Sequence, residues 1–386
     1  MTLLGELLVD AQPGFACGRE ETDGVFQFRM NNITKASSLD LSVRRRVPLD
    51  AHKKISTFFV AQDDVLFNAT NSPDNVGKSV LIPELDEKAV FSNHFIRLRV
   101  DREALIPAYL WRWLQWKYQA GLFRSMCRQW VNQATVSRES LLQLEISLPP
   151  LDEQRRIAVT LDLADGIRVR RRQVLNHLEH LAQSTFFQMF GDPMKTGDDS
   201  RPLGAVCDVI TGNTPSRSDP ANYGDGIEWI KSDNLGGTIA TRSEEHLTAI
   251  GRNKARIVPA GSVLVTCIAG SPNSIGKASL VDREVAFNQQ INAAVPGPTV
   301  NGRFLLEQLK VAPRLVRQQS TGGMKGLVSK SNFASIRIHV PPLSSQGRFV
   351  EIAKEIDTLR ERQTEALAHG DDLVRSLQGR AFSGQL

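Results

Sequence analysis

The sequence has few cysteines, and none of them is placed for a metal or disulfide framework. The four cysteines occur singly, with no CxxC pair and no histidine at ligand spacing: Cys17, Cys127, Cys207 and Cys267. Neither a zinc site nor a set of disulfides is therefore indicated, and a reducing compartment fits this usage.

Long apolar runs are also lacking. No stretch reaches the roughly 18 apolar residues that a membrane-spanning helix needs. The N-terminal segment carries Glu6 and Asp10 where a signal peptide has its apolar run. We therefore expect a soluble cytoplasmic protein that is not exported.

The motifs of common enzymes are missing as well. Gly77-Lys78 and Gly276-Lys277 resemble the end of a phosphate-binding loop, but Ser72 and Ser271 stand where that loop needs its first glycine. No GxSxG, HExxH or glycine-rich dinucleotide turn occurs. The Pro-Pro pairs lack the preceding Asn or Asp and the following aromatic residue of an amino-methyltransferase motif. The sequence thus predicts no catalytic residue, no metal ligand and no cofactor site in this chain.

The charge balance is mildly basic. Among 386 residues, 47 Lys and Arg face 42 Asp and Glu, which gives a net charge of +5 and a pI near 9.1. This balance permits polyanion binding without requiring it.

What the sequence does contain is a long internal repeat. The segment 136–192 returns as 328–384, at a constant offset of 192 residues from Val136 to Val328. Each copy runs from a strand-like segment into Pro-Pro-Leu and then into an uninterrupted helical pattern. Proline fits the entry of a helix, and Asp152 or Ser344 can accept hydrogen bonds from the first-turn amides. The repeat predicts two long helices and two similar halves.

Both predicted helices carry heptad stripes that favour an antiparallel coiled coil. The stripe residues are Ile157, Ala164, Arg171 and Leu178 with Ile167, Val174 and Leu181 in the first copy, and Phe349, Ile356, Gln363 and Leu377 with Ile352, Leu359 and Leu373 in the second. Two surface helices on unrelated domains are the alternative. The run Arg168, Arg170, Arg171 and Arg172 is interpreted as a solvated face or a bridge to acidic partners.

The segments before each helix mix short β-rich runs with one helical stretch, which indicates α+β domains. The predicted organisation is domain 1 over 1–148, helix 1 over 149–192, domain 2 over 193–340 and helix 2 over 341–386.

Matched loops of the two domains carry amide and cationic side chains suited to nucleic acid, because Asn and Gln pair with adenine while Lys and Arg bind guanine or phosphate. These candidates are Arg29, Asn32, Asn68, Asn71, Asn75, Lys78 and Asn93 in the first domain, and Lys231, Asn234, Thr266, Asn273, Lys277, Gln289 and Gln290 in the second. The alternative is that they are polar only because loops are wet.

The order of domains and helices resembles the specificity subunit of type I restriction-modification systems over essentially the whole chain. The most specific pieces are LPPLDEQRRI at 148–157 with its repeat at 340–349, and TGNTPS at 211–216 followed by IEWIKSD at 227–233. The second copy departs at Ser345 and Gly347, and the first half lacks the TGNTPS-like segment.

The resemblance implies a non-catalytic DNA reader with two target-recognition domains. Each domain would bind one half of a bipartite double-stranded target, and the coiled coil would set the distance between the halves. Adenine methyltransferase subunits, expected as two copies, and restriction-translocase subunits would supply catalysis with S-adenosylmethionine, ATP and magnesium. Alternatives are a protein-binding structural adaptor and a stand-alone enzyme, the latter opposed by the missing motifs.

Overall fold

The structure is a computed structural model, and it describes residues 1–130, 133–195, 197–320 and 326–385. It divides into two compact units: Met1–Arg172 with Glu365–Leu386 (unit 1), and Gln173–Thr364 (unit 2). Each unit contains one mixed α+β domain and a part of both long helices.

The domain of unit 1 is built on a four-stranded antiparallel sheet. Its strands, in spatial order, are Leu8–Pro13, Phe95–Val100, Val65–Asn68 and Ser79–Leu81. Smaller sheets pair Arg46–Val47, Val25–Phe28 and Ala89–Phe91; Arg128–Trp130, Gln133–Thr135 and Thr70–Asn71; and Thr2–Leu3 with Glu145–Ile146. The shorter helices are Pro107–Gln119, Leu122–Met126 and Arg138–Leu142.

The domain of unit 2 repeats this plan. Its four-stranded antiparallel sheet has the order Cys207–Thr211, Ile291–Pro296, Val263–Thr266 and Ala278–Leu280. Further sheets pair His246–Leu247, Tyr223–Ile230, Val285–Phe287 and Ile257–Val258; Ile268–Ala269 with Gly326–Leu327; and Ser200–Pro202 with Arg337–His339. The shorter helices are Leu203–Val206, Ala249–Lys254, Gly302–Val311, Arg314–Arg317 and Lys330–Ser335.

One of the two inner strands of each main sheet, Val65–Asn68 in unit 1 and Val263–Thr266 in unit 2, is buried on both faces. In unit 1, Val65 and Phe67 belong to the core beneath the helix Pro107–Gln119, while Leu66 belongs to the core shared with the smaller sheet. Successive side chains of a strand point to opposite faces of the sheet. A strand whose residues are all apolar can therefore pack into a core on each face. Val263, Leu264 and Val265 divide in the same way in unit 2.

The two long helices span Leu151–Phe190 and Leu343–Phe382, 40 residues each. They begin one residue before the predicted capping residues Asp152 and Ser344. In unit 1 the start of the first helix packs beside the end of the second, where Arg168 donates to Asp371 at 2.6 Å. In unit 2 the end of the first packs beside the start of the second, where Phe186 and Phe349 have ring centroids 5.4 Å apart. The predicted antiparallel coiled coil is confirmed.

One of the two predicted stripes in each helix faces inward. Ile157, Leu178, Phe349 and Ile356 are buried, and Ala164, Arg171, Gln363 and Leu377 are half-buried.

The other predicted stripe is wrong by one residue. Its members are 36% to 56% exposed: Ile167, Val174, Leu181, Ile352, Leu359 and Leu373. The positions that face inward instead are Leu161, Arg168, Leu175 and Ala182, and Ala353, Arg360, Leu367 and Val374. The inward-facing positions include charged residues such as Arg168, whereas the exposed positions are apolar. An assignment based on apolar character therefore chose the exposed positions.

Each domain is attached to a long helix of its own unit by ion pairs of one arginine. In unit 1, Arg112 donates to Asp162 at 2.8 Å and also binds Asp165. In unit 2, Arg303 donates to Asp357 at 2.6 Å. These pairs orient the domain on the helix, because a guanidinium largely shielded from solvent, as those of Arg112 and Arg303 are, needs a carboxylate partner.

Candidate nucleic-acid interface

Two polar loops of unit 1 meet because a parallel strand pair ends beside them. Val25–Phe28 runs parallel to Ala89–Phe91, and the carboxyl ends of parallel strands share one edge of a sheet. Arg29 and Asn93 follow these ends and are exposed. Half-buried His94 lies beside them, and its burial, followed by the charge of Arg29, lowers its pKa. The structure thus brings together two residues that the sequence predicted separately.

Unit 2 repeats this edge with different side chains. Tyr223–Ile230 runs parallel to Val285–Phe287, so Lys231 lies beside the loop that carries Gln289 and Gln290. Gln289 is exposed, whereas Lys231 and Gln290 are half-buried. Gln290 of unit 2 occupies the place that His94 has in unit 1. His94 was not among the residues predicted from the sequence. A signal for His94 was its place in the segment 92–96, which matches the segment 287–291 that carries the chosen Gln289 and Gln290.

Asn32 and Asn234 have a structural role in both units. The Oδ1 atom of Asn32 accepts from the amide of Arg29 at 2.8 Å, and that of Asn234 accepts from the amide of Lys231 at 3.0 Å. Their Nδ2 atoms donate further along the same loops. Each asparagine therefore closes the loop that presents its neighbouring cation, and its amide is committed within the loop.

Other predicted residues also lie inside or bond within their loops, and among them Oε1 of Gln290 accepts from Nδ2 of Asn288 at 3.2 Å and from the hydroxyl of Ser232 at 3.1 Å. Asn68 and Thr266 are fully buried, and the amide of Asn68 donates to the carbonyl of His94 at 3.2 Å. Half-buried Asn71 donates to Asn68 at 2.6 Å, and half-buried Asn75 donates to Ser72 at 2.8 Å. Burial removes Asn68 and Thr266 from any surface that DNA can reach in this structure.

The two Gly-Lys loops do not present their lysines alike. Lys78 is 6% exposed, and its ammonium donates to the carbonyl of Ile33 at 2.7 Å. Burial lowers the pKa of this ammonium, and the charge of Lys35 lowers it further. The prediction that Lys78 presents its ammonium to phosphate or guanine is therefore wrong for this structure. Lys277 and Asn273 are exposed in unit 2, and their contact with DNA stays a prediction.

Unit 2 also holds a cation that the sequence analysis passed over. Arg217 follows the TGNTPS segment and is 56% exposed, and its guanidinium lies over the rings of Tyr223 and Trp229 at 4.5 and 5.1 Å. Its signal was an arginine directly after a turn-rich segment that carried no assigned role.

Across 1–130, 133–195, 197–320 and 326–385, no three or more His, Cys, Asp or Glu side chains are grouped to hold a metal ion. No helix in that part of the chain is both long and apolar enough to cross a membrane.

A duplicated domain, a coiled coil and a matched polar edge in each unit define a modular recognition protein. Residues 24–180 and 198–368 match the family described as type I restriction modification DNA specificity domain. The chain belongs to this family, and the match occurs once in each half.

Similar proteins are named as specificity subunits of type I restriction enzymes. The chain is 24% identical over 216 residues to the type I restriction enzyme EcoR124I/EcoR124II specificity subunit of Escherichia coli, covering 54% of this chain and 51% of that protein. It is 22% identical over 344 residues to the putative type I restriction enzyme MjaX specificity subunit of Methanocaldococcus jannaschii, covering 84% and 79%. The chain thus aligns with about half of the first relative's length.

A solved structure has the same fold. It comes from work on complex assembly and conformational transition of the type I R-M system, and it matches with a TM-score of 0.63 at 20% identity, covering 100% of this chain and 97% of that one.

Proposed function

We propose that this chain is the DNA-reading specificity subunit of a type I restriction-modification complex, and that each domain reads one part of a bipartite target. The observation that carries the proposal is the repeated polar edge beside a parallel strand pair. Arg29, Asn93 and His94 occupy it in unit 1, and Lys231, Gln289 and Gln290 occupy it in unit 2.

Different side chains on one scaffold are what reading two different half-sites requires. Hydrogen bonds to base edges depend on the donor and acceptor pattern, so an Arg, Asn and His edge and a Lys, Gln and Gln edge favour different base pairs. The shared backbone keeps the two edges in corresponding places within their units.

The outer apolar stripe supports assembly with partner subunits. In unit 1 it comprises Val159, Leu163, Ile167 and Leu373, and in unit 2 Val174, Leu181, Ile352 and Leu359, all at least 36% exposed. Exposed apolar side chains at helical spacing are suited to receive the apolar faces of further helices. We assign this stripe to methyltransferase subunits, two per chain, with restriction subunits joining the assembly.

Catalysis in such a complex belongs to the partners. S-adenosylmethionine would serve the methyltransferase subunits, and ATP with magnesium the restriction subunits. The specificity chain contributes DNA recognition, in the cytoplasm where the target DNA lies.

The long helices would set the spacing between the two half-sites. Four residues inserted near the middle of each helix add ~6 Å while rotating the stripe by only ~40°. At ~3.4 Å per base pair, the preferred spacer should lengthen by about one or two base pairs with both half-sites unchanged. Methylation mapping of this variant would show an unchanged spacer if the helices have no such role.

Domain exchange tests the central proposal. The full chain is co-expressed with the methyltransferase subunit of its own system, and residues 200–327 are replaced by the matching segment of a relative. Genome-wide mapping of methylated adenine should then show one altered half-site and one preserved half-site. If the chain with its methyltransferase gives no sequence-specific methylation or binding, the proposed function fails and a protein-binding adaptor replaces it.

Docking is tested on the outer stripe. Leu373→Glu should weaken the complex with the methyltransferase subunit in a pull-down or sedimentation assay, since it places a charge on an apolar interface. Leu49→Glu is the matched control, because Leu49 is 63% exposed but lies on the domain. Equal binding by both variants would remove the stripe from the interface.

A further inference from the structure

A cluster of charged and aromatic side chains lies on the surface of unit 2. Nη2 of Arg217 donates to Oε2 of Glu245 at 2.6 Å, and the ammonium of Lys231 bonds to Oε1 of the same carboxylate. One carboxylate thus joins cations from two segments, the loop after TGNTPS and the end of the strand Tyr223–Ile230.

The rings beneath Arg217 are themselves held in place. Trp229 is 3% exposed, and its Nε1 donates to the carbonyl of Asn213 at 3.2 Å. The hydroxyl of Tyr223 donates to the carbonyl of Pro215 at 2.6 Å. A guanidinium stacked on two fixed rings and bonded to a carboxylate keeps few rotamers, so little conformational entropy remains to be lost when it binds a ligand.

The guanidinium still has hydrogen-bonding capacity to offer. Within the described residues, Glu245 is the hydrogen-bond partner of Arg217, and it takes one hydrogen of Nη2. The second hydrogen of Nη2 and one hydrogen of Nε or Nη1 form an edge of the guanidinium that offers two donors side by side. That edge matches the O6 and N7 acceptors of guanine in the major groove.

The fold itself does not require the carboxylate. The amide of Trp229 donates to the carbonyl of Glu245 at 3.0 Å, and the amide of Gln27 donates to that of Arg45 at 2.9 Å. Arg45 is therefore the equivalent of Glu245 in unit 1, with the opposite charge on the same backbone. Both units form this backbone hydrogen bond, one with a glutamate and the other with an arginine. The carboxylate of Glu245 is therefore not needed for the strand pairing, and its role lies in its contacts with Arg217 and Lys231.

We propose that Arg217 reads a guanine in the half-site bound by unit 2, and that Glu245 is a positioning residue that holds Arg217 and Lys231 for this task. The inference rests on the proposed function and deepens it. A neutral base edge suits this cluster better than phosphate does, because phosphate at Arg217 would meet the negative charge of Glu245. Unit 1 has no such carboxylate at the equivalent position, so the inference concerns one half-site.

The test uses the full chain with the methyltransferase subunit of its own system and a duplex library randomised over both half-sites. Arg217→Ala should lose discrimination about 5- to 150-fold at one guanine of the second half-site and keep the first half-site intact. Replacing that guanine by 7-deazaguanine should weaken the wild type and leave Arg217→Ala unaffected, because the N7 acceptor is gone. Arg252→Ala is the matched control, since Arg252 pairs with Glu284 at 2.6 Å on the same domain.

Glu245→Gln tests the positioning role. Freed from the carboxylate, Arg217 and Lys231 can turn to phosphates, so discrimination at the same guanine should fall while the salt dependence of binding becomes steeper. A merely structural role would lower thermal stability and leave the salt slope unchanged.

Several outcomes would overturn the inference. If Arg217→Ala weakens all sequences equally and reduces the salt slope by about one, Arg217 contacts phosphate. If it changes neither affinity nor preference, the cluster does not touch DNA. A wild-type complex without any sequence preference would overturn the proposed function together with this inference, whereas the first two results spare the proposed function.

Discussion

Gln154 and Gln346 make the same three hydrogen bonds, one in each unit. Oε1 of Gln154 accepts from the amide of Ile106 at 2.9 Å, and its Nε2 donates to the carbonyls of Ala104 and Pro149 at 3.0 and 2.9 Å. Gln346 does this with the amide of Asn301 and the carbonyls of Thr299 and Pro341, at 2.8, 3.0 and 2.7 Å. Each fully buried glutamine thus ties the start of a long helix to its domain.

Replacing either glutamine, and so removing its three hydrogen bonds, should destabilise the unit that contains it. Gln154→Ala leaves one donor and two acceptors on half-buried residues without their partner, and each such group costs at most about 1–3 kcal/mol. We expect earlier urea unfolding of unit 1 and faster hydrogen exchange of the Ile106 amide, and for Gln346→Ala the same at Asn301. Gln188→Ala, on an exposed position of the first long helix, is the control. Unchanged hydrogen exchange of the Ile106 amide would show that Gln154 does not hold the long helix to its domain.

The corrected coiled-coil assignment makes two neighbouring residues differ in effect. Val374 is 4% exposed and Leu373 is 56% exposed. Val374→Ala should cost about 1–3 kcal/mol through lost packing, whereas Leu373→Ala should stay within about 0.5 kcal/mol. Urea unfolding of the full chain measures both. The reverse order would restore the stripe that the sequence predicted.

The two Gly-Lys lysines should separate stability from DNA binding. Lys78→Ala removes the buried donor to Ile33 and should destabilise unit 1 by about 1–3 kcal/mol. Lys277→Ala should leave stability unchanged and, if the lysine contacts a phosphate, reduce the salt slope of DNA binding by about one. A salt titration beside urea unfolding tests the pair. A Lys78→Ala protein of normal stability and reduced salt slope would place its ammonium on the DNA.

Acid should weaken unit 2 through Glu228. Burial alone would raise the pKa of this carboxyl group, but hydrogen bonds from Arg283, Arg242 and the amide of Ser243 outweigh it and hold the pKa at about 2. A folded-state pKa below the ordinary value of 4.5 stabilises the protein above that pH. This contribution is lost as the pH falls from about 4.5 toward 2.

The variant Glu228→Gln should therefore show a shallower loss of stability over that pH window. Unfolding measured from pH 6 to pH 3 compares it with the wild type and with Glu244→Gln, a change at an exposed neighbouring carboxylate. Parallel pH profiles for all three proteins would mean that Glu228 is not held ionised by its arginines.

Much of the architecture was readable from the chain. The repeat predicted two alike halves, and the Pro-Pro entries followed by uninterrupted helical patterns predicted the two 40-residue helices to within a few residues. These features are determined locally, because proline, glycine and helical periodicity act over a few neighbouring residues. The placement of Arg29 and Asn93 at one sheet edge, by contrast, depends on a parallel pair of strands that no local sequence pattern predicts.

Burial was decided only by the tertiary structure. Lys78 and Lys277 each follow a glycine in matching loops. Lys78 is buried and donates a hydrogen bond to the carbonyl of Ile33, whereas Lys277 is exposed. Likewise Arg168 takes an inner position of the coiled coil because Asp371 lies opposite it, while apolar Ile167 faces outward. The sequence by itself determined the repeat and the helices, whose causes lie within a few residues. Which polar side chain faces solvent depends on partners far along the chain, so only the folded structure decided it.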